Sequence, residues 1–408
     1  MEEMQDYGRL RDNKPFIFVW IAGLCAMLGF AMLFLTTSWY VIDELERPAL
    51  VGLVLVMITV PRVIMMIFGG VVADRIKKSK IMFSTNLLQT ILISVMAYLV
   101  TQDQLGVMAL IVITFLFGFF DAFFYPAVTA LIPILVGRGN IQRANSLFHG
   151  SIELMFMFGP VIAGALLTIS TFGVTITVAA CFVALSVIFV HPKLIKDDQL
   201  EKETKLNKIK DDFVLGIRYI RQSPIISSGI ITISLVNLFV IGPIIISFPL
   251  IVDALEGTAF HLSLLEVGLS VGTFTGSIIV YKISANKRRG KIIVLTLIVT
   301  MIGFFIFSRM ELLPALMILA AVVGFSAMIV YLQMLTVIQE HTPHDRQGRV
   351  MSIATVASEG FAPVAFAIVS LLVGIGLTIH NVLAWVAVCG LICSIWLALK
   401  AKALMQAQ

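Results

Sequence analysis

Charge is scarce in this chain of 408 residues. Asp, Glu, Lys and Arg make up 13% of it and hydrophobic residues 59%, so that the mean hydropathy is +1.01. A soluble globular protein carries roughly 25% charged residues and has too little interior to bury this much apolar surface. The composition excludes a soluble enzyme, a disordered chain and a nucleic-acid-binding protein, and predicts an α-helical protein that crosses a membrane many times.

Cysteine and catalytic motifs are also scarce. The four cysteines lie inside apolar runs without metal-ligand spacing, which indicates buried hydrophobic side chains. No Walker motif, His-Glu-x-x-His or Gly-x-Ser-x-Gly sequence occurs. We therefore expect no enzyme, no metal and no cofactor. An intramembrane enzyme would need a set of catalytic residues, and a receptor would need an appended soluble domain. The sequence shows neither feature, so both classes are remote alternatives for this protein.

Twelve apolar segments are each long enough to span the membrane, which takes about 20 residues. Because they are apolar all round, they predict helices rather than barrel strands. The predicted spans are 15–40, 49–72, 80–101, 106–135, 145–168, 173–191, 225–251, 263–282, 291–308, 313–338, 351–376 and 381–400.

The one long hydrophilic stretch divides these spans into two groups of six. We predict an all-α polytopic fold with a six-helix half at 1–191, a linker at 192–224 and a second six-helix half at 225–408. Apolar residues recur at helical spacing in the second part of the linker, which predicts an amphipathic helix at the membrane surface. These residues are Leu206, Ile209, Phe213, Val214, Ile217 and Ile220.

Basic residues predict the orientation, because cytoplasmic loops carry the excess of Lys and Arg. With both termini in the cytoplasm, all but three of the 29 Lys and Arg residues fall on the cytoplasmic side. The exceptions are Arg47 and Arg309 outside and Arg62 inside a span. We expect a multi-pass protein of the cytoplasmic (inner) cell membrane, with membrane lipids around it and a monomeric state.

The two halves share an internal repeat at an offset of 206 residues. The pattern Arg143-x-x-Ser146-x6-Glu153 recurs as Arg349-x-x-Ser352-x6-Glu359. At 1.5 Å per residue each Glu lies about 15 Å along its helix from the loop Arg. The repeat therefore predicts an acidic side chain near the middle of the bilayer in both halves.

Two loop and helix motifs resemble a known family. The sequence Gly70-Val-Val-Ala-Asp74-Arg75-Ile-Lys-Lys is similar to the loop between helices 2 and 3 of the major facilitator superfamily. Gly159-Pro160-Val-Ile-Ala-Gly164 is similar in part to the antiporter motif of helix 5, and 124–133, 143–146 and 347–350 resemble the branch of drug:proton antiporters that contains macrolide-efflux proteins and enterobactin exporters.

This resemblance implies twelve helices in two pseudo-symmetric halves and secondary transport by alternating access. Asp74 would hold the positive end of a neighbouring helix, and Gly-Pro would bend helix 5. The gating set that follows is Gly70, Asp74, Arg75, Gly159, Pro160, Gly164, Arg143 and Arg349.

Four ionisable residues lie well inside the predicted spans: Arg62, Asp121, Glu153 and Glu359. A charge at mid-span costs roughly 2.5–3.5 kcal/mol, so Arg62 needs a counter-charge, for which Asp121 and Glu359 are the candidates. A carboxylic acid in the membrane can bind and release a proton as access alternates. We therefore assign all four residues to proton coupling.

The resemblance implies that spans 1, 4, 7 and 10 line the substrate cavity. Their aromatic and amide residues suit an amphiphilic ligand; they are Trp39, Tyr40, Phe117, Phe120, Phe124, Asn237, Tyr331 and Gln333. We predict a proton-coupled exporter of hydrophobic or amphiphilic small molecules such as drugs. The alternatives of the same fold are a siderophore exporter and a carrier of lysophospholipids or other lipids.

Overall fold

A computed structural model describes residues 10–136, 140–195, 215–282 and 289–400. These residues form helices joined by short loops, and no strand occurs among them. The helices in chain order are α1 Lys14–Asp43, α2 Val51–Arg75, α3 Lys78–Thr101, α4 Val107–Val136, α5 Ile141–Ile169, α6 Phe172–Phe189, α7 Pro224–Val236, α8 Gly242–Ala254, α9 Ala259–Lys282, α10 Arg289–Phe307, α11 Leu313–Glu340, α12 His344–Gly374 and α13 Ile379–Lys400.

The helices follow the predicted spans closely. Eleven helical segments of the described chain are long and apolar enough to cross a membrane. The ninth predicted span, 291–308, is a helix too, but its apolar part, Ile292–Phe307, is shorter than the others. The predicted all-α polytopic fold is thereby confirmed.

The seventh predicted span is not one regular helix. α7 and α8 are joined by a π-helical segment, Asn237–Ile241, which is followed at once by Gly242 and Pro243. Pro243 has no N–H to donate, so the backbone of this span cannot keep a regular hydrogen-bond ladder. Because π-helical turns inside α-helices occur frequently at functional sites, this segment is of interest for the site.

Helix ends are fixed by local capping. The Thr171 side chain accepts a hydrogen bond from the Val174 N–H at the start of α6. The Ser223 side chain accepts one from the Ile226 N–H at the start of α7, where Pro224 occupies the first helical position. Each cap satisfies a backbone N–H that the helix cannot pair internally, and proline is favoured at that first position.

The described chain divides into two compact units. The first takes the residues up to Tyr40 and from Met57 to 195; the second takes Val41–Val56 and the residues from 215 onward. The segment Val41–Val56 thus groups with the second unit, although it precedes the predicted linker. In the second unit Ser370 of α12 donates a hydrogen bond to the carbonyl of Ala49 in this segment.

The first unit packs around α3, α4 and α6. Asn86 of α3 donates a hydrogen bond to Ser186 of α6 at 2.6 Å, and both side chains are buried. A cluster of buried apolar residues, which includes Phe16, Phe124 and Phe148, fills one end of the unit. A buried polar pair of this kind joins two helices inside lipid, where a lone amide is costly.

The second unit contains a tight pairing of α9 and α11. Gly268, Gly272 and Gly276 recur at every fourth position of α9, and a Cβ on each would meet a backbone carbonyl of α11. Small residues at this spacing let two membrane helices approach closely. The carbonyls belong to Met317, Ala321 and Phe325 respectively.

Only the end of the predicted linker helix lies within the described residues. Residues 215–222 are helical, and Ile220 is buried. The Arg346 guanidinium at the start of α12 lies over the Tyr219 ring, 4.7 Å from its centroid. This end of the linker therefore packs against its own unit. The predicted positions at Leu206, Ile209, Phe213 and Val214 lie outside the described residues.

Candidate functional site

An ion pair lies inside the membrane-spanning part of the first unit. Arg62 Nε of α2 and Asp121 Oδ2 of α4 are 3.2 Å apart, and their side chains are 24% and 9% exposed. The sequence left two candidate partners for Arg62, and the structure assigns Asp121 rather than Glu359. A charge pair here is far less costly than either lone charge in a low-dielectric interior.

The packing of α2 on α4 brings these two charges together. Gly118 of α4 lies directly against the backbone carbonyl of Ile58 in α2, with no room between them for a Cβ. Arg62 follows Ile58 by one turn, and Asp121 follows Gly118 by three residues. Because residues three and four apart share a helix face, the close approach at Gly118 places the two ionic side chains opposite each other.

A third polar side chain completes this site. Gln89 of α3 donates from Nε2 to Asp121 Oδ1 at 3.3 Å, and its own side chain is buried. Both carboxylate oxygens of Asp121 are therefore engaged. Gln89 was not among the predicted site residues, although two amides one turn apart in an apolar span, Asn86 and Gln89, are a sequence signal for it.

Aromatic rings cover the arginine. The Arg62 guanidinium carbon lies 5.8 Å from the centroid of the Phe30 ring, and Phe117 stacks on Phe30 with centroids 5.7 Å apart. Phe156 meets Phe30 edge-on at 6.1 Å. A cation over an aromatic face is attracted to it by the ring quadrupole, so Phe30, which the sequence analysis did not select, helps to hold the charge.

The other two predicted proton carriers lie elsewhere. Glu153 of α5 and Glu359 of α12 are both exposed, and each belongs to a different unit. On α5, Arg143, Ser146 and Gly150 are exposed as well, at the spacing of one helix face with Glu153. The repeat residues of α5 thus lie along one exposed face of the helix. The assignment of Glu153 and Glu359 to proton coupling stays a prediction.

The second unit has its own polar contact in the interrupted span. Asn237, the first residue of the π-helical segment, donates from Nδ2 to Ser358 Oγ at 3.4 Å and to the Ile233 carbonyl at 3.1 Å. Ser358 directly precedes Glu359 on α12 and is buried. The sequence indicated Asn237 but gave no sign of Ser358 or of the π-helical turn.

Four of the predicted substrate-contacting aromatics are packed in the protein interior. Trp39, Tyr40, Phe117 and Phe124 are at most 6% exposed. The Tyr40 hydroxyl donates to the Leu105 carbonyl at 3.1 Å, and its ring meets another aromatic ring edge-on. In this conformation these side chains hold helices together, and their contact with substrate stays a prediction.

The remaining predicted substrate residues divide between the units. Phe120 lines an apolar cavity of about 500 Å³ beside α3 and α4 of the first unit, together with Phe119 and Phe123. Tyr331 is half-buried and Gln333 buried on α11 of the second unit. Their contact with substrate stays a prediction.

The predicted gating residues are only partly described. Gly159 packs against α1, because a Cβ on it would lie 2.5 Å from the Ala31 Cβ. Pro160 follows inside α5, and Gly164 is buried. The side chains of Asp74, Arg75 and Arg349, with Gly70, lie outside the described residues.

No group of three or more His, Cys, Asp or Glu suited to a metal ion is found among the residues that the structure describes. The ionic chemistry that they do bring together is the Arg62–Asp121 pair and the amide bound to it.

The sequence is similar to those of known membrane transporters. The sequence profile of the Major Facilitator Superfamily matches residues 19–367. The chain is 23% identical to the multidrug efflux pump Tap of Mycolicibacterium fortuitum, over 83% of this chain and 84% of that protein. It is also 23% identical to the enterobactin exporter EntS of Shigella boydii serotype 4, over 85% of this chain and 82% of that protein.

Solved structures share the fold at low sequence identity. A POT family transporter in complex with 5-aminolevulinic acid has a TM-score of 0.73 at 11% identity, covering 95% of this chain and 96% of that one. The nucleoside transporter NupG has a TM-score of 0.71 at 11% identity, covering 96% and 99%. At this identity the likeness establishes the arrangement of helices alone.

Proposed function

The chain belongs to the Major Facilitator Superfamily, and we propose that it exports hydrophobic or amphiphilic small molecules in exchange for protons. The observation that carries the proposal is the Arg62–Asp121 pair at 3.2 Å inside the spans of the first unit. An intramembrane ion pair is costly and marks an ion or proton pathway by default. We also propose a monomer in the cell membrane, with both termini in the cytoplasm and lipids as its surroundings.

Protonation of Asp121 is the chemical step that would couple the inward movement of protons to the export of substrate. A proton that reaches the carboxylate from outside removes its charge, and Arg62 then loses its counter-ion. An unpaired arginine in lipid is strongly disfavoured, so the protonated state favours a different packing of α2 on α4. Release of the proton to the cytoplasm restores the Arg62–Asp121 pair. Protonation and release would thus shift the protein between its two conformations, which open the transport pathway to opposite sides of the membrane.

Glu153 and Glu359 are the second and third proton carriers in this scheme. Both are exposed in this conformation, so both can exchange protons with water when their helix face is open to it. Their equivalent positions in the internal repeat give the two units one carboxylate each. Coupling through them predicts that their neutral amides slow the exchange.

The substrate class rests on the named relatives and on the aromatic content of the predicted cavity helices. Similarity to a multidrug efflux pump over most of both chains supports export of drugs. Similarity to an enterobactin exporter over a like share supports the second candidate, export of a siderophore. Measuring the transport of drugs and of a siderophore by the purified protein distinguishes these two candidates.

The test is gradient-driven transport in proteoliposomes. Purified wild type is reconstituted with an imposed pH gradient, and the flux of a panel of drugs and of enterobactin is measured with and without that gradient. We expect flux only with the gradient, and a loss of about tenfold or more in Asp121→Asn. Glu153→Gln and Glu359→Gln should also lower the gradient-driven flux.

Two results would contradict the proposal. Equal flux with and without the gradient removes the proton as coupling ion, and wild-type flux in all three variants removes these carboxylates from the scheme. Transport of enterobactin without any drug would replace the first candidate by the second. Exposed Glu256, in the loop between α8 and α9, provides the matched control, because Glu256→Gln removes one negative charge outside the spans.

A further inference from the structure

A fourth intramembrane carboxylate lies in the second unit. Glu266 is at the start of the third turn of α9, where it is half-buried. Within the described residues it makes no ion pair and no hydrogen bond. The proton scheme does not use Glu266, so the presence of this acidic side chain in the membrane is left to be explained.

α9 has three distinct faces, and Glu266 lies on the third. One face, with Gly272 at its centre, packs against the backbone of α11. A second carries exposed apolar side chains suited to lipid: Phe260, Val271, Phe274 and Ile278. At 100° per residue Glu266 lies about 100° or more from the centre of either face.

This third face is a polar stripe. Ser270, Thr273 and Ser277 follow Glu266 at intervals of four, three and four residues, which places all four on one side of the helix. Each of them is half-buried. Nearer the start of α9, the same side of the helix carries Ala259, Leu262 and Ser263, which are at most 4% exposed. Glu266 therefore lies between a buried first part of this face and three half-buried hydroxyl side chains.

The charged residues within the spans of the second unit are acidic. In α7 to α13 every Lys and Arg lies within two turns of a helix end. On the helices packed against α9, the titratable residues are Asp253 near the end of α8 and Tyr331 and Glu340 of α11. Besides Glu266, α9 itself carries His261 in its first turn, and Tyr281 and Lys282 at its end. Within the spans of this unit Glu266 and Glu359 are thus acidic without a basic counterpart.

We infer that Glu266 and the hydroxyls of Ser270, Thr273 and Ser277 bind the positive charge of an amphiphilic organic cation. A carboxylate in a low-dielectric site attracts a cation far more strongly than it does in water, and hydroxyl oxygens can turn their lone pairs toward that charge. The apolar part of the ligand would lie among the neighbouring aliphatic side chains. The inference rests on the proposed function and narrows its substrate class to cations.

Binding to the purified full-length protein in nanodiscs tests this site without transport. Tetraphenylphosphonium is the cationic probe and triphenylphosphine oxide the neutral probe of similar shape. Empty nanodiscs provide the background for partition into lipid. Equilibrium dialysis then gives the affinity of wild type, Glu266→Gln, Glu266→Asp and the control Glu256→Gln for each probe.

The expected result is selective for charge. Glu266→Gln should weaken tetraphenylphosphonium binding by about tenfold or more, as for the loss of one desolvated charge partner, and leave the neutral probe within about twofold. Glu266→Asp should retain most of the cation affinity, and Glu256→Gln should match wild type. A thermal melt of each variant confirms that it is folded, and Glu266→Asp preserves the test should the amide variant unfold.

Unchanged cation affinity in Glu266→Gln would overturn the inference, and so would a wild type that does not bind tetraphenylphosphonium or a variant that loses both probes equally. These outcomes are separate from the proposed function, which fails on its own measurement when wild type shows no gradient-driven flux of any panel compound. If the protein exports neutral compounds with the gradient but does not bind tetraphenylphosphonium, the proposed function is supported and the cation site at Glu266 is wrong.

Discussion

Arg62 Nε lies 3.2 Å from Asp121 Oδ2, with Gln89 bound to the other carboxylate oxygen at 3.3 Å. This pair joins α2 and α4 inside the first unit, beside the point where Gly118 lies against the Ile58 carbonyl. One small residue thus sets the separation of two helices and, one turn further on, the distance between two opposite charges.

Removal of either partner should destabilise the protein more than removal of both. Asp121→Asn and Arg62→Gln each leave a charged or polar group without its partner, at a cost of about 3–5 kcal/mol for a buried pair. The double variant leaves no net charge and should recover a large part of that loss. Thermal unfolding of the four proteins in nanodiscs completes the cycle. Strictly additive losses would mean that the pair contributes nothing to stability.

Gly118→Ala should separate α2 from α4. The added Cβ meets the backbone carbonyl of Ile58, which cannot rotate away as a side chain can, so the helices must move apart and the ion pair lengthens. We expect lower thermal stability and a loss of gradient-driven flux.

Gly150→Ala is the matched control for that substitution. Gly150 also lies inside a helix of the first unit, but a Cβ there meets nothing within 4 Å. Replacing an unconstrained helical glycine by alanine stabilises a helix by about 0.5–1 kcal/mol. Equal melting temperatures for the two alanine variants would contradict the close approach at Gly118.

A disulfide between positions 49 and 374 should form and stop transport. The Ala49 Cβ lies 3.6 Å from the place of a Cβ on Gly374, which is within the range that disulfides adopt. Since Ala49 lies in the short segment that joins α1 to α2, a link to α12 would hold that segment in place while alternating access requires it to move.

The measurement for this crosslink is flux before and after reduction. Ala49→Cys with Gly374→Cys should lose flux under oxidising conditions and recover it with dithiothreitol, whereas each single cysteine variant should be unaffected. Full flux in a protein shown by mass spectrometry to be crosslinked would mean that this contact persists throughout the cycle.

Asn237→Leu should impair transport more than stability. It removes hydrogen bonds to Ser358 and to the Ile233 carbonyl, each worth about 1 kcal/mol net, and it changes the π-helical segment where α7 and α8 meet. We expect the flux to fall about tenfold with a small change in melting temperature.

Ser227→Ala should behave as wild type, because among the described residues the Ser227 hydroxyl donates to the Pro224 carbonyl of its own helix. Comparable losses in both would remove any special role of the π-helical turn.

Much of the fold was predictable because insertion into lipid depends on local composition. Each of the twelve predicted segments corresponds to helical structure, with ends that differ by a few residues, since a run of apolar residues flanked by polar ones has one low-energy conformation in a bilayer. The interruption at Asn237–Ile241 was not predicted, because a π-helical turn leaves the hydropathy of a span unchanged.

The site was predicted in part. Asp121 was one of two candidate partners for Arg62, and the pairing with Asp121 is confirmed, whereas Gln89 and Phe30 were missed because an amide and a ring in an apolar span carry no distinctive pattern. The predicted ligand-contacting aromatics Tyr40 and Phe124 are packed in the interior in this conformation, and their contact with substrate stays a prediction. Sequence periodicity cannot tell a ring that faces a cavity from one that faces a neighbouring helix.

The amino-acid sequence alone predicts a bundle of membrane helices, because each residue adds its own free-energy cost or gain on transfer into lipid. Which charges meet depends on how the helices pack in three dimensions. Arg62 and Asp121 are distant in sequence and pair because Gly118 allows two backbones to touch, whereas Glu266 has no such partner among the described residues. Whether an intramembrane charge is neutralised within the protein or left for a ligand depends on helix packing, and packing is a property of residues that only the fold brings together.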